Sequence, residues 1–160
     1  GQFMALLHNT DPESQSKFSK NSKSDNVKID KTVFDFLDSV LTTYDKDCVK
    51  MNNDTPIYFN GDFDTTKATV YMKGVTIGEV KKNYIQPHHQ FFMAMGDSFK
   101  RKIELLADSE EVKKYLHGEE FDTTCENGWA VVMLNGCSLG GAKVVNGRAK
   151  NHYPKGLRLK

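Results

Sequence analysis

The chain has 160 residues, is 38% hydrophobic and 11% aromatic, and carries a net charge of only +1. That size allows one ordinary domain or two small ones that lean on each other. No apolar run nears the ~20 residues needed to cross a bilayer, no signal peptide is legible, and three scattered cysteines (Cys48, Cys125, Cys137) fit reduced cytoplasmic thiols rather than a disulfide framework.

Residues 1–7 read as a short strand with no nearby partner, and Thr10 to Asn26 as a flexible linker rich in Ser, Lys, Asn and Asp. Residues 1–26 thus look like the edge of another domain followed by a tether. Asp30 to Leu41 is a helix: Val33, Phe34, Leu37, Val40 and Leu41 share a face, and Asp30 suits the N-cap. Short strands follow at Ile57–Phe59, Ala68–Met72 and Val75–Val80, the last two flanking a Lys73-Gly74 turn. Pro87 opens a short helix from His88 to Met95. Phe99 to Leu106 fits either strand or helix. Asp108-Ser109-Glu110-Glu111 resembles a capping box, and the helix it starts buries Val112, Tyr115 and Leu116 before stopping at Gly118. Trp129 to Leu134 is an apolar strand ending at Asn135-Gly136. A further strand, Ala142–Val145, leads to a second turn at Asn146-Gly147. Many short strands and three short helices without long parallel crossovers predict an α+β protein with a small barrel or curled sheet. We expect one domain over 27–90 and a second over 91–160.

Charge is uneven despite the neutral total. Gly128 to Lys160 contains no Asp or Glu but holds Lys143, Arg148, Lys150, Lys155, Arg158 and Lys160. Basic side chains, tight turns and a few aromatic rings suit a polyanion, RNA above all; a solvated strand pair with ordinary surface lysines is the plain alternative. The preceding segment is acidic (Asp108, Glu110, Glu111, Glu119, Glu120, Asp122, Glu126), either a solvated face or a surface that repels RNA from the wrong side.

Other constellations point away from catalysis. His88 and His89 are adjacent, so on a helix they diverge rather than forming the i, i+4 zinc pair, and no metal site is expected. Acidic neighbours raise the pKa of Cys125, the wrong direction for a nucleophile, and Cys137 has no legible base. Leu139-Gly140-Gly141 lacks the pattern of a phosphate loop. It reads instead as a tight turn or a close backbone approach to a ligand.

Two segments carry a resemblance: Gly128-Trp129-Ala-Val-Val-Met-Leu-Asn-Gly136-Cys-Ser-Leu139-Gly140-Gly141-Ala-Lys143, and Lys150-Asn151-His152-Tyr153-Pro154-Lys155-Gly156-Leu157-Arg158. They resemble the C-terminal PUA-like RNA-binding domain of RsmF-type, Sun-related 5-methylcytosine rRNA methyltransferases. Gly78 to His89 is similar to that family's first C-terminal domain, and Gly1 to Leu6 to the last strand of its methyltransferase domain. The resemblance implies a small α+β domain followed by a PUA-like β-barrel with short helices. It implies an RNA-binding, noncatalytic portion of an enzyme whose S-adenosylmethionine-binding domain is absent. There is no Pro-Cys dipeptide, and the three cysteines match neither catalytic position. The implied partners are rRNA, of the small subunit, and the methyltransferase domain of the same parent chain. Lys143, Arg148, Lys150, Lys155 and Arg158 are expected on phosphates, with no catalytic residue and no cofactor bound here. His152 or Tyr153 either stacks on a base or packs the barrel, Asn151 fixes the turn in preference to reading a base, and Trp129 is core. Four neutralised phosphates would give a log–log salt slope of about −3. The alternative is a module that braces the methyltransferase domain without touching RNA.

Overall fold

The computed structural model describes residues 29–60 and 72–160; the expected strand at residues 1–7, the linker and nearly all of the strand at Ala68–Met72 lie outside them. Helix α1 (Lys31–Val40) forms because the Asp30 carboxylate accepts from the Thr32 amide at 2.7 Å, satisfying an amide without a helical partner. Its buried stripe is Val33, Phe36, Leu37 and Val40, spaced i, i+3, i+4, i+7. Phe36 takes the place expected for Phe34, which is only half-buried.

Strands β1 (Val49–Asn52) and β2 (Thr55–Tyr58) form a hairpin turned by Asn53, whose φ is +53°, and β3 (Val75–Thr76) adds antiparallel to β2. The expected strand Val75–Val80 is broken at Ile77, which is fully buried and bonds the Pro56 carbonyl; β4 (Gly78–Val80) then pairs with β5 (Ile85–Pro87) instead. Helix α2 (His89–Met95) drives Phe91 and Phe92 inward.

The remaining elements build one curled sheet. Its strands are β6 (Lys102–Leu105), β7 (Phe121–Asp122), β8 (Gly128–Leu134), β9 (Cys137–Val145) and β10 (Arg148–Asn151), in the order β6-β8-β9-β10-β7. Only the β6–β8 pair of this sheet is parallel. Between β6 and β7 runs α3 (Glu110–His117), capped by the Ser109 hydroxyl on the Val112 amide. The cap falls one residue after Asp108, because a turn closed by the Ser109 amide on the Leu106 carbonyl leaves Ser109 as the last extended residue. Gly118 ends α3 in the left-handed region (φ +86°), its amide and that of Glu119 closing on the last turn. The architecture is α+β with a PUA-like half-barrel.

Successive residues of β8 face opposite ways and serve two cores. Val131 and Met133 join Val33, Leu37, Phe91 and Phe99 on one side; Ala130 and Val132 join Tyr115, Phe121 and Val144 on the other. The first core therefore takes residues from both sides of residue 90, and α2 runs across that position. Gly140 and Gly141 lie inside β9, not in a turn. A Cβ on Gly141 would run into the Phe92 ring, and Gly140 (φ +151°) lies under Tyr115 and His89. The close approach these glycines permit is to the protein's own aromatic rings.

Candidate nucleic-acid interface

Cross-strand register assembles the basic surface. The two-residue turn at Asn146-Gly147, with φ of +50° and +76°, sets Lys150 directly opposite Lys143. On the other side of β9, Lys143 lies opposite Trp129 of β8. Trp129, Lys143 and Lys150 thus form one row across three strands. Both lysines are exposed, and neither has a carboxylate partner among the described residues. Two like charges facing each other across a ladder are unfavourable, and a bound anion relieves that cost.

Trp129 is half-buried. Phe92 supports it at a centroid distance of 6.1 Å, and the Lys143 Nζ stands 5.4 Å over its ring. The expectation that Trp129 belongs to the core holds for only part of the ring. His152 meets it edge-on at 4.5 Å and 72°. The His152 Nδ1 lies 3.4 Å from the Gln86 Nε2 on β5. Burial, and then the Lys143 ammonium, lower the pKa of His152 below the usual histidine value.

The other expected site residues have structural partners or lie apart. Arg148 bonds Asp122 at 3.0 Å and reaches Glu120 at 3.7 Å, fastening β7 to β10. The Asn151 amide donates to the Tyr115 and Glu119 carbonyls at 2.8 and 3.0 Å, and its oxygen accepts from the Tyr153 amide at 2.8 Å. One bond closes the turn to Tyr153 and the other two tie Asn151 to the end of α3. Tyr153 packs on Tyr115 and His89 in the second core's margin. Of the two rings weighed for stacking, His152 flanks the lysine row and Tyr153 fills the barrel. Arg158 donates twice to the Tyr153 carbonyl, at 3.3 and 3.2 Å, and lies over Gly118. Lys155 is exposed in a single helical turn over Lys155–Leu157. Sequence reasoning missed Gln86, which lies 66 positions before His152 and is brought to it only by the tertiary fold.

The acidic residues collect elsewhere. Edge strands β6 and β7 both line an open cavity of about 490 Å³ whose wall includes Glu104, Glu111 and Asp122. Glu126 lies 3.8 Å from Arg101. Burial raises the pKa of Cys125 first of all, with the Arg101 charge pulling the other way. His88 occupies the N-cap of α2 without a side-chain cap bond, and the buried His89 Nδ1 has no hydrogen-bond partner among the described residues. Among the described residues no three metal-binding side chains converge.

Residues 102–159 match the family described as the Methyltransferase RsmF PUA domain, a stretch that runs from β6 to the end of the C-terminal turn. No curated protein matches the chain. The part that carries Trp129, Lys143, Lys150 and His152 is therefore similar to the PUA domain of the methyltransferase RsmF.

Proposed function

We propose that this chain is an RNA-binding module of an rRNA (cytosine-5) methyltransferase, working in the cytoplasm and holding small-subunit rRNA for a catalytic domain outside this sequence. That domain would bind S-adenosylmethionine and supply the methyl transfer; the residues described here hold RNA. PUA domains generally bind RNA. The observation that carries the reading is the Lys143–Lys150 row, which has no carboxylate partner among the described residues and lies within the segment similar to the RsmF PUA domain.

Lys143 and Lys150 bind neighbouring phosphates, and Lys155 extends the track along the C-terminal turn. Arg148 acts first as a fastener of the sheet and Arg158 as a fastener of the C-terminal turn, and both reach RNA only at its margin. Three phosphate contacts on a single strand give a log–log salt slope of about −2, shallower than the four-phosphate expectation.

The test is fluorescence anisotropy of labelled small-subunit rRNA fragments over a salt series. The wild-type chain should bind with that slope, and the Lys143→Glu/Lys150→Glu pair should weaken binding at least about tenfold for every sequence, because phosphate contacts carry no sequence information. A flat salt response with unchanged affinity in the double variant would refute the reading. It would leave the module as a brace for the methyltransferase domain.

A further inference from the structure

The proposed function needs only charge, yet the basic row ends in a ring. We propose that Trp129 is a stacking platform for one unpaired RNA base, with Gln86 and His152 at the base edge and Lys143 and Lys150 on the flanking phosphates. This inference rests on the RNA-binding reading and adds a preference for single strands.

The ring is preorganised. Phe92 supports it and His152 fixes it edge-on, so little side-chain freedom is lost when a base arrives. Among the described residues the one cation over it belongs to Lys143, an exposed side chain on a long aliphatic stem. A base on an aromatic face is held more strongly than an exposed ammonium, so the base displaces Lys143. The displaced ammonium moves to the phosphate next to that base, beside Lys150. Exchange of a cation–π contact for a stack and a phosphate contact couples the two.

Gln86 gives the platform an edge reader. It is half-buried, its side chain makes one long hydrogen bond, to His152, and the rest of its amide has no hydrogen-bond partner among the described residues. A neutral amide offers both donor and acceptor to a base. Burial and then Lys143 lower the pKa of His152, so it adds no second cation; its Nδ1 accepts from the Gln86 amide, which leaves the Nε2–H as a donor. A duplex hides base faces in its own stack, so the platform serves only a single strand, loop or bulge. Gln86 lies outside the segment that matches the PUA family, so that segment alone lacks one part of the site.

Trp129 is the single tryptophan of the chain, which makes it an intrinsic reporter. The 160-residue chain is titrated with a mixed-sequence hexanucleotide RNA and, separately, with a blunt RNA duplex. Tryptophan emission and anisotropy of labelled RNA are followed together at one salt concentration. We expect the single strand to quench Trp129 with the same midpoint as the anisotropy curve, and the duplex to bind without quenching. Trp129→Leu should weaken single-strand binding about tenfold and duplex binding hardly at all. Gln86→Ala, a change at the surface rather than in the core, should weaken the single strand several-fold with the same selectivity. Single-strand binding seen by anisotropy without quenching, or equal quenching by duplex, overturns the platform while leaving RNA binding intact. No RNA binding of either kind at low salt overturns both readings.

Discussion

His152 shows how one side chain can be placed by the fold for a task at the surface. Its amide extends the ladder to Gly141, which anchors the backbone, while the ring lies between Gln86 and Trp129. Burial together with Lys143 lowers its pKa from the ordinary 6.5, and burial followed by His88 lowers that of His89. In the unfolded chain both rings take up protons at the ordinary value; in the folded chain they resist. Proton uptake then favours unfolding, so stability falls as the pH drops from neutral through the range below 6.5. The melting temperature should be lower near pH 5 than near pH 7, and His152→Gln should shrink the difference. An identical pH dependence in the variant would remove His152 from the account. Carboxylates that titrate over the same interval remain in both proteins, so the comparison isolates the ring.

At the scale of elements, Asn151 is the joint between helix and sheet. Two of its three hydrogen bonds link the C-terminal end of α3 to the end of β10, and the third closes the turn to Tyr153. Asn151→Ala removes them and leaves the Tyr115 carbonyl without this donor, so chemical denaturation should report a loss of about 2 kcal/mol. A loss below about 0.5 kcal/mol would mean that water replaces the amide without cost. Register explains how much of the site was legible in the sequence. The Asn146-Gly147 turn dictates a two-residue hairpin, and simple counting from it pairs Lys143 with Lys150. The same counting from Asn135-Gly136 pairs Trp129 with Ala142 and hides the tryptophan from the lysines. The ladder instead slips by one residue between Val132 and Met133, where Leu139 is extra, and this bulge brings Lys143 opposite Trp129. A bulge of that kind depends on the packing of Gly140 and Gly141 against Tyr115, His89 and Phe92, which no local pattern records. Turns and helix ends were readable because a few local residues determine them. The break at Ile77 was not, since it follows from burial under distant strands.

For the molecule as a whole, the two cores share β8. Val131 and Met133 are 0% and 4% exposed because α1, α2 and Phe99 cover them. Each such side chain contributes about 1.5–3 kcal/mol when buried, and domains of this class are stable by only about 5–15 kcal/mol. A piece spanning residues 102–160 would expose that apolar face of the sheet along with the inner side of Trp129. We expect it to lose cooperative melting and to associate, as seen by circular dichroism and size-exclusion chromatography. A monomeric piece with the melting temperature of the longer chain would mean that the second core suffices. The same observation bears on RNA recognition, since Gln86 and the support for Trp129 come from before residue 102.

The sharing of β8 also has a temporal side. Helix α1 has its apolar stripe ready as soon as it is made, but part of its cover comes from β8, about 90 residues later in the chain. At a synthesis rate of roughly 5–20 residues per second, the wait is on the order of 5–20 s. Throughout that interval Val33, Phe36, Leu37 and Val40 are available to whatever meets the nascent chain at the ribosome, chaperones included.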